Sequence, residues 1–326
     1  MEDFRPIDFP RLRDFSMKVN ATFEFVKQNF KSLAKSILVI AGPPALIASL
    51  VIGNFMSDFM KSATKIGTGN FGDSFLTVDF WVQMLLLLVF GILTYIFTIA
   101  TINNYLILYS EKRTNQIEVP EVWARVRETF WMYFGTAIFF GILLLVAYLV
   151  LIIPIVVLAA VSPFLIFFGV VFFIIAFMYL LFSVSLTFFI RGYEKKGFFE
   201  SLSRSFYLVR GKWWSTFGLI VILSMIAGVI SYIFMIPYYI ATFSTLLHQT
   251  TPDTFAKPSS SLLLISKIFL TLYYLAQIML SMIPNVGIAF QYFNLVELKE
   301  AKGLLSDIEK FGQAPDPTAN RPEEHY

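Results

Sequence analysis

The sequence predicts an all-α fold, a polytopic bundle of transmembrane helices, and three observations lead to it. Hydrophobic residues make up 57% of the 326 residues and charged residues only 14%, while the mean hydropathy is +0.71. Six stretches reach the length of about 20 mostly apolar residues that crosses a hydrocarbon core. None of the six has a charged residue in its middle, where a charge is costly. Soluble domains do not have this composition.

The six predicted spans are assigned from apolar length and from helix-breaking residues. The stretch from 130 to 190 is long enough for two helices or three. We assign two, because Pro154 is placed to end one span and Ser162-Pro163 to start the next. The second and sixth spans exceed the bilayer thickness, and a bend is expected at Pro284-Asn285. The spans lie near residues 34 to 57, 80 to 109, 131 to 154, 162 to 190, 214 to 237 and 266 to 296.

Lysine and arginine residues are distributed unequally between the two sides of the predicted membrane. With six spans both termini share one side, and the opposite side carries only Lys61, Lys65, Lys257 and Lys267. Because cytoplasmic loops are rich in Lys and Arg, both termini are predicted to be cytoplasmic, in a bacterial inner membrane. The predicted domains are a cytoplasmic segment with an interfacial helix at 1–33, a transmembrane domain at 34–303 and a cytoplasmic tail at 304–326 that is disordered at its end.

One pattern, an aromatic residue, a valine, a base and a second aromatic residue at fixed spacing, occurs three times. Each copy comes directly before an odd-numbered span. The even-numbered spans also end alike, in Y-S-E-K-R, Y-E-K-K-G and K-E-A-K-G. The chain therefore reads as three repeats, at about 15–113, 115–197 and 198–303, each with an amphipathic leading helix, a span out and a span back. The copies are Phe23, Val26, Lys27 and Phe30; Trp123, Val126, Arg127 and Phe130; and Phe206, Val209, Arg210 and Trp213.

The spacing of this pattern explains how each leading helix meets the membrane. Positions i, i+3, i+4 and i+7 put the valine and aromatic residues on one face, with the base at its border. Such a helix lies in the headgroup plane. It is either an ordinary interfacial anchor or a basic surface that binds anionic lipid headgroups or another membrane protein. The candidate residues are Phe23, Lys27, Phe30, Trp123, Arg127, Phe130, Phe206, Arg210, Lys212, Trp213 and Trp214.

Residues that carry chemistry are scarce. The chain has no cysteine, which excludes disulfides, thiolate metal sites and cysteine nucleophiles. Its two histidines, His248 and His325, are isolated from each other and from any carboxylate cluster. A net charge of +3 is too small to indicate nucleic-acid binding. We therefore predict no catalytic residues, no metal and no cofactor, and a protein that is not an enzyme.

Uncharged polar residues inside the spans leave a second function open. They serve either as hydrogen-bond partners between helices or as the lining of a path for a lipid or small amphiphile. Gly42-Pro43-Pro44 and Pro284-Asn285 would break helices at membrane depth, and broken helices free backbone groups that line such a site. The two functions that the sequence predicts are a scaffold, assembly or accessory subunit and, as the alternative, a transporter or flippase. The candidate path residues are Asn103, Asn104, Asn285 and Gln291.

Two further segments carry a family resemblance: S-x-x-R-S-F-x-L-V-R-G-K-W-W at 201–214 and N-L-V-E-L-K-E-A-K-G-L-L at 294–305. With them, the chain resembles a broad group of uncharacterised prokaryotic six-helix membrane proteins. The group includes the membrane domain fused to some bacterial glycerophosphodiester phosphodiesterases, and the closing stretch looks like the Bacteroidetes version. The resemblance implies a helical membrane module. It does not imply lipid hydrolysis, because the sequence contains no phosphodiesterase barrel and none of its catalytic acids and histidines.

Overall fold

A computed structural model describes residues 5–63, 77–250 and 259–301, and all regular structure within these ranges is helical. The predicted tail at 304–326, with His325, lies outside the described residues, as do Lys65 and Lys257. The helices are α1 (Phe15–Ile40), α2 (Gly42–Ala63), α3 (Val78–Lys112), α4 (Val119–Val161), α5 (Ile166–Ser183), α6 (Thr187–Glu194), α7 (Phe198–Val209), α8 (Trp213–Tyr232), α9 (Ile236–Thr250), α10 (Ser260–Leu280) and α11 (Met282–Glu300).

Five stretches of the described chain are long and apolar enough to cross a membrane, or six if one bent pair counts as a span. The bent pair joins Phe15–Ile40 to Gly42–Met56 at an angle of 61°. By the length and composition of its helices, the fold is that of an all-helical membrane protein. The five straight or gently bent stretches are Val78–Lys112, Val119–Val161, Pro163–Glu194, Trp213–His248 and Ser260–Glu300.

Two of the helix breaks lie about one turn before prolines. α1 and α2 meet at Ala41, before Pro43 and Pro44, so the break predicted there is confirmed. α10 and α11 meet at Ser281, so the helix is interrupted three residues before Pro284, whereas the sequence predicted a bend at residues 284 and 285. The displacement has a steric cause, because a proline ring clashes with the carbonyl four residues before it.

Pro154, by contrast, does not end a helix. α4 continues through Pro154 to Val161 and is 43 residues long. The helix stops at Ser162, which has an extended backbone and accepts a hydrogen bond from the N–H of Phe164 through its side chain. The prediction that Pro154 ends the third span is wrong. In an apolar environment a continuing helix loses one hydrogen bond at proline, whereas a stop would expose several backbone groups without water to bind them.

The third copy of the repeated pattern is divided between two helices. α7 ends at Val209, and Lys212 donates its backbone N–H to the Val209 carbonyl at 2.9 Å. The two residues between them have the angles of a type II turn, with Arg210 at φ −55° and ψ 125° and Gly211 at φ +80°. The prediction that residues 206 to 213 form one helical face is therefore wrong. The third residue of a type II turn needs a positive φ, which glycine adopts without steric cost.

We expect Gly211→Ala to lower the free energy of unfolding by about 1 to 2 kcal/mol, the cost of a left-handed conformation for a residue with a Cβ atom. The cost is conformational, since a Cβ atom at this position would have open space around it. Chemical denaturation in detergent micelles measures it. Gly228→Ala in the middle of α8, also with open space, should leave stability unchanged or higher. An equal loss in both variants would contradict the prediction.

The ends of α3, α6 and α11 meet at one end of the bundle. These helices contact one another, and each also packs against a leading helix: α3 against α4, α6 against α7 and α11 against α1. All three stop at a non-glycine residue with positive φ, and these are the only such residues in the described ranges: Arg113, Lys195 and Ala301. We call the place where the three helix ends meet the junction.

Candidate functional site

The basic residues of the repeated pattern lie exposed at the same end of the bundle as the junction. Lys27, Arg127, Arg210 and Lys212 are all exposed. Within the described residues none of the four forms an ion pair. Neighbouring bases do: Lys112 pairs with Glu121, Arg113 with Asp8, Arg125 with Glu111 and Lys196 with Glu194. The three bases of the pattern and the neighbouring Lys212 therefore present uncompensated positive charge.

The other positions of the pattern divide between packing and exposure. The valines of all three copies, Val26, Val126 and Val209, are buried. Phe30, Trp123 and Trp214 are exposed. The half-buried aromatic residues are Phe23, Phe130, Phe206 and Trp213.

Trp213 and Trp214 are adjacent but have different roles. Trp213 donates its indole N–H to the carbonyl of Tyr179 at 3.1 Å and stacks on Tyr179 and Phe217. It therefore fixes the start of α8 to α5. Trp214 is 77% exposed, so its ring is the one free to enter the interface between lipid and water.

Largely buried ion pairs join α6, α7 and α11 beside the junction. Arg204 on α7 donates to both carboxylate oxygens of Glu300, at 2.6 and 3.1 Å, and to Glu194 at 2.5 Å. Tyr292 donates its hydroxyl to the same Glu194 oxygen at 2.6 Å. The hydrogen bonds to Glu300 raise the pKa of Arg204 above its ordinary value, so this guanidinium stays charged. Sequence reasoning counted Arg204 only among the cytoplasmic bases and did not identify this network.

The segment before α1, residues 5–14, packs against the junction, and we call it the strap. Its Phe9 is buried among Phe25, Tyr109, Phe290 and Phe293, with ring centroids 5.1 to 5.9 Å away. Backbone N–H groups of the strap donate to side chains of α3 and α11 at 2.9 and 2.7 Å. The strap therefore links α1, α3 and α11.

Arg13 holds the strap in its bent shape. Its guanidinium donates to the carbonyl of Phe9 at 2.9 Å and to that of Asp8, and it lies 5.0 Å from the centroid of the Phe290 ring. Burial lowers the pKa of Arg13 below its ordinary value. The sequence predicted a cytoplasmic segment here and did not predict that it docks.

Lys18 is 2% exposed and makes no ion pair within the described residues. Its ammonium donates to Ser215 at 2.8 Å and to Gln291 at 2.7 Å. Gln291 in turn donates to Thr216 at 2.9 Å. These bonds fix the first turn of α8 to α1 and α11.

The four amides predicted to line a path have separate surroundings. Asn104 donates to Thr129 at 2.8 Å, and Asn285 donates to the carbonyl of Ser281 in its own helix at 2.8 Å. Gln291 belongs to the Lys18 cluster, and Asn103 is buried. Among the described residues no hydrogen bond joins two of the four. Asn104 and Gln291 connect helices, as polar groups in lipid commonly do.

Comparison with known families is consistent with this class of protein. Residues 124–284 match the family model described as Domain of unknown function (DUF7847). The match begins in α4, within the second copy of the pattern, and ends in α11. No curated protein and no solved structure matches the chain. The chain is thus an all-helical membrane protein similar over this range to a family of unknown function. The match names no relative, so the resemblance to the membrane domain of the phosphodiesterases stays a prediction.

Proposed function

We propose that the chain is a non-enzymatic protein of the bacterial cytoplasmic membrane, a scaffold or accessory subunit whose basic end binds anionic lipid headgroups. The observation that carries the proposal is the state of Lys27, Arg127 and Arg210. Each is exposed beside a buried valine, and none is engaged by an acid among the described residues, whereas Lys112, Arg113, Arg125 and Lys196 at the same end form ion pairs. In this proposal both termini are cytoplasmic.

The physical basis is the charge of the membrane surface. Each Lys or Arg near an anionic leaflet contributes about 1 kcal/mol of attraction, and salt screens it. An exposed aromatic ring beside the base, such as Phe30, Trp123 or Trp214, adds an anchor at the same depth. A base that already pairs with an acid is attracted less strongly to the anionic leaflet, because the acid compensates its charge. The four bases are therefore among the expected lipid contacts.

Six spans in three repeats are part of the same proposal. The similar helix ends at Arg113, Lys195 and Ala301 support it, as does the packing of each returning helix against the leading helix of the next repeat. Because α11 packs against α1, this order closes into a ring. A ring places the three bases around one face rather than along a line, which suits contact with a surface of headgroups.

Transport of a lipid or small amphiphile is the alternative, and the described contacts support it less. A path would need amides that face a common space. Asn104, Asn285 and Gln291 instead bond to different neighbours, and Asn103 is buried.

The test replaces Lys27, Arg127, Arg210 and Lys212 together by glutamine. At about 1 kcal/mol for each base, we expect the enrichment of phosphatidylglycerol over phosphatidylcholine around the protein in mixed nanodiscs to fall at least about tenfold. Mass spectrometry of the co-purified lipids measures the enrichment, and insertion should be unchanged.

A matched control removes the same number of charges from the same end. It replaces Lys112, Arg113, Arg125 and Lys196, which all form ion pairs, and it should lower the enrichment much less. Equal losses in the two variants would show that only net charge matters and would contradict the proposal. If lipid enrichment persists in the first variant but a co-purifying membrane protein is lost, the bases contact a protein partner instead.

A further inference from the structure

Arg191, near the end of α6, is a half-buried guanidinium that makes no ion pair within the described residues. One of its terminal nitrogens donates to the hydroxyl of Thr136 on α4 at 2.8 Å. That hydroxyl itself donates to the carbonyl of Met132 at 2.6 Å, so it accepts from Arg191 in a fixed orientation. The guanidinium is therefore held by one end against α4, and its other nitrogens make no hydrogen bond to a described residue.

The acid one turn away cannot neutralise Arg191. Glu194 uses one carboxylate oxygen to accept from Arg204 and Tyr292, and the other to bind Lys196 at 2.8 Å. The Nε atom of Arg191 is closed to solvent and has no hydrogen-bond partner among the described residues. A cation that is partly buried without a counter-charge is unfavourable. Binding of an anion from outside the chain would therefore stabilise the guanidinium of Arg191.

Exposed aromatic rings lie close to Thr136, the residue that binds Arg191. Phe139, one turn after Thr136 on α4, is exposed, and it stacks on Phe198 of α7 with ring centroids 5.3 Å apart. Phe199 beside it is also exposed. The surface where α4, α6 and α7 adjoin thus combines an unpaired guanidinium with exposed apolar rings.

We propose that this surface binds one anionic phospholipid, with the phosphodiester accepting hydrogen bonds from Arg191 and the acyl chains lying against Phe139 and Phe199. Arginine suits the role because its planar fork donates two parallel hydrogen bonds to phosphate. Basic pockets between transmembrane helices near the cytoplasmic surface bind lipid headgroups in this way. The exposed rings favour a lipid over free phosphate. The proposal rests on the proposed function and adds one tight site, distinct from the four exposed bases.

The test compares Arg191→Gln with Lys195→Gln, a change to an exposed lysine at the same end of α6 without an ion pair among the described residues. Both proteins are titrated in nanodiscs with phosphatidylglycerol against a phosphatidylcholine background, and native mass spectrometry counts the lipid retained. We expect one retained phosphatidylglycerol, with its affinity at least about tenfold lower in Arg191→Gln and unchanged in Lys195→Gln. Arg191→Lys, which keeps the charge and loses the fork, should be intermediate.

Three further arms keep the outcome decisive. If Arg191→Gln does not fold, Thr136→Val removes the anchor of the guanidinium and should also weaken retention. Unchanged retention in a folded variant of either kind overturns the proposal, as does equal retention of phosphatidylcholine. Inorganic phosphate that binds the lipid-free protein as tightly as phosphatidylglycerol, and only when Arg191 is present, would assign the site to a soluble anion. This result would overturn the lipid assignment.

The same measurements separate this site from the proposed function. The variant that lacks the four exposed bases should lose general enrichment and keep the tight lipid. Arg191→Gln should do the reverse. Loss of both in Arg191→Gln would show that the two are one surface, and the separate site would then be wrong.

Discussion

Replacing Arg204 by methionine is expected to lower the free energy of unfolding by about 3 to 5 kcal/mol, the usual cost of removing one partner from a buried ion pair. The side chains of Arg204 and Glu194 are only 13% and 12% exposed. Arg204 also binds both oxygens of Glu300. Methionine fills a similar volume but donates nothing. Two carboxylates on α6 and α11 would then repel each other without the cation between them.

Denaturation in detergent micelles measures this loss, and Arg125→Met is the matched control. Arg125 pairs with Glu111, but the two side chains are 33% and 49% exposed, so the control should cost no more than about 1 kcal/mol. Adding Glu194→Gln and Glu300→Gln to Arg204→Met should recover part of the stability, because the unpaired charges are removed. Similar small losses for Arg204→Met and Arg125→Met would show that the network is effectively solvated.

The contrast between these two arginines shows how far the sequence alone could lead. Hydropathy is a local property, so it predicts the apolar stretches and the class of membrane protein. The bonds between Arg204 and Glu300 join residues 96 positions apart, and no local pattern indicates which of the many bases meets which acid. The exposure of Lys27 and Arg127 is consistent with the predicted spacing, since each lies on a continuous helix.

The two errors about helix ends have different origins. Pro154 lies in an apolar stretch where ending the helix would cost more than continuing it. Gly211 follows Arg210 and precedes Lys212, in a polar turn whose free backbone groups are less costly at the interface. The glycine was a visible turn signal, but the match of the flanking residues to the other two copies favoured a continuous helix.

The strap was not predictable for a different reason. Phe9 lies between Asp8 and Pro10, in a stretch that alternates acids, bases and prolines, and such a composition is typical of an exposed segment. Its burial depends on aromatic residues of α1, α3 and α11, which are far away in sequence. An isolated phenylalanine in a charged segment is a weak signal of docking, and no periodicity accompanies it.

Replacing Phe9 by alanine is expected to release the strap and to lower its local stability by about 3 to 5 kcal/mol, the usual range for a buried phenylalanine. Four aromatic neighbours would lose a contact at once. The remaining links, such as the bond from Arg13 to Asn294, are single hydrogen bonds of about 1 kcal/mol each. They cannot hold the segment alone. The helices themselves should remain folded, because the strap bonds to helix backbone only through Asp14 at the start of α1 among the described residues, and Phe9→Ala leaves Asp14 in place.

Limited proteolysis with trypsin measures the release, since Arg11 and Arg13 lie in the strap. When opening is fast, the cleavage rate follows the population of the open form, so a loss of about 3 kcal/mol should raise the rate about a hundredfold. Leu12→Ala, which changes an exposed neighbour in the same strap, should leave the rate nearly unchanged. Cleavage that is equally slow in Phe9→Ala would mean that the hydrogen bonds of Arg13 hold the strap. In that case Arg13→Gln, rather than Phe9→Ala, should release the strap and raise the cleavage rate.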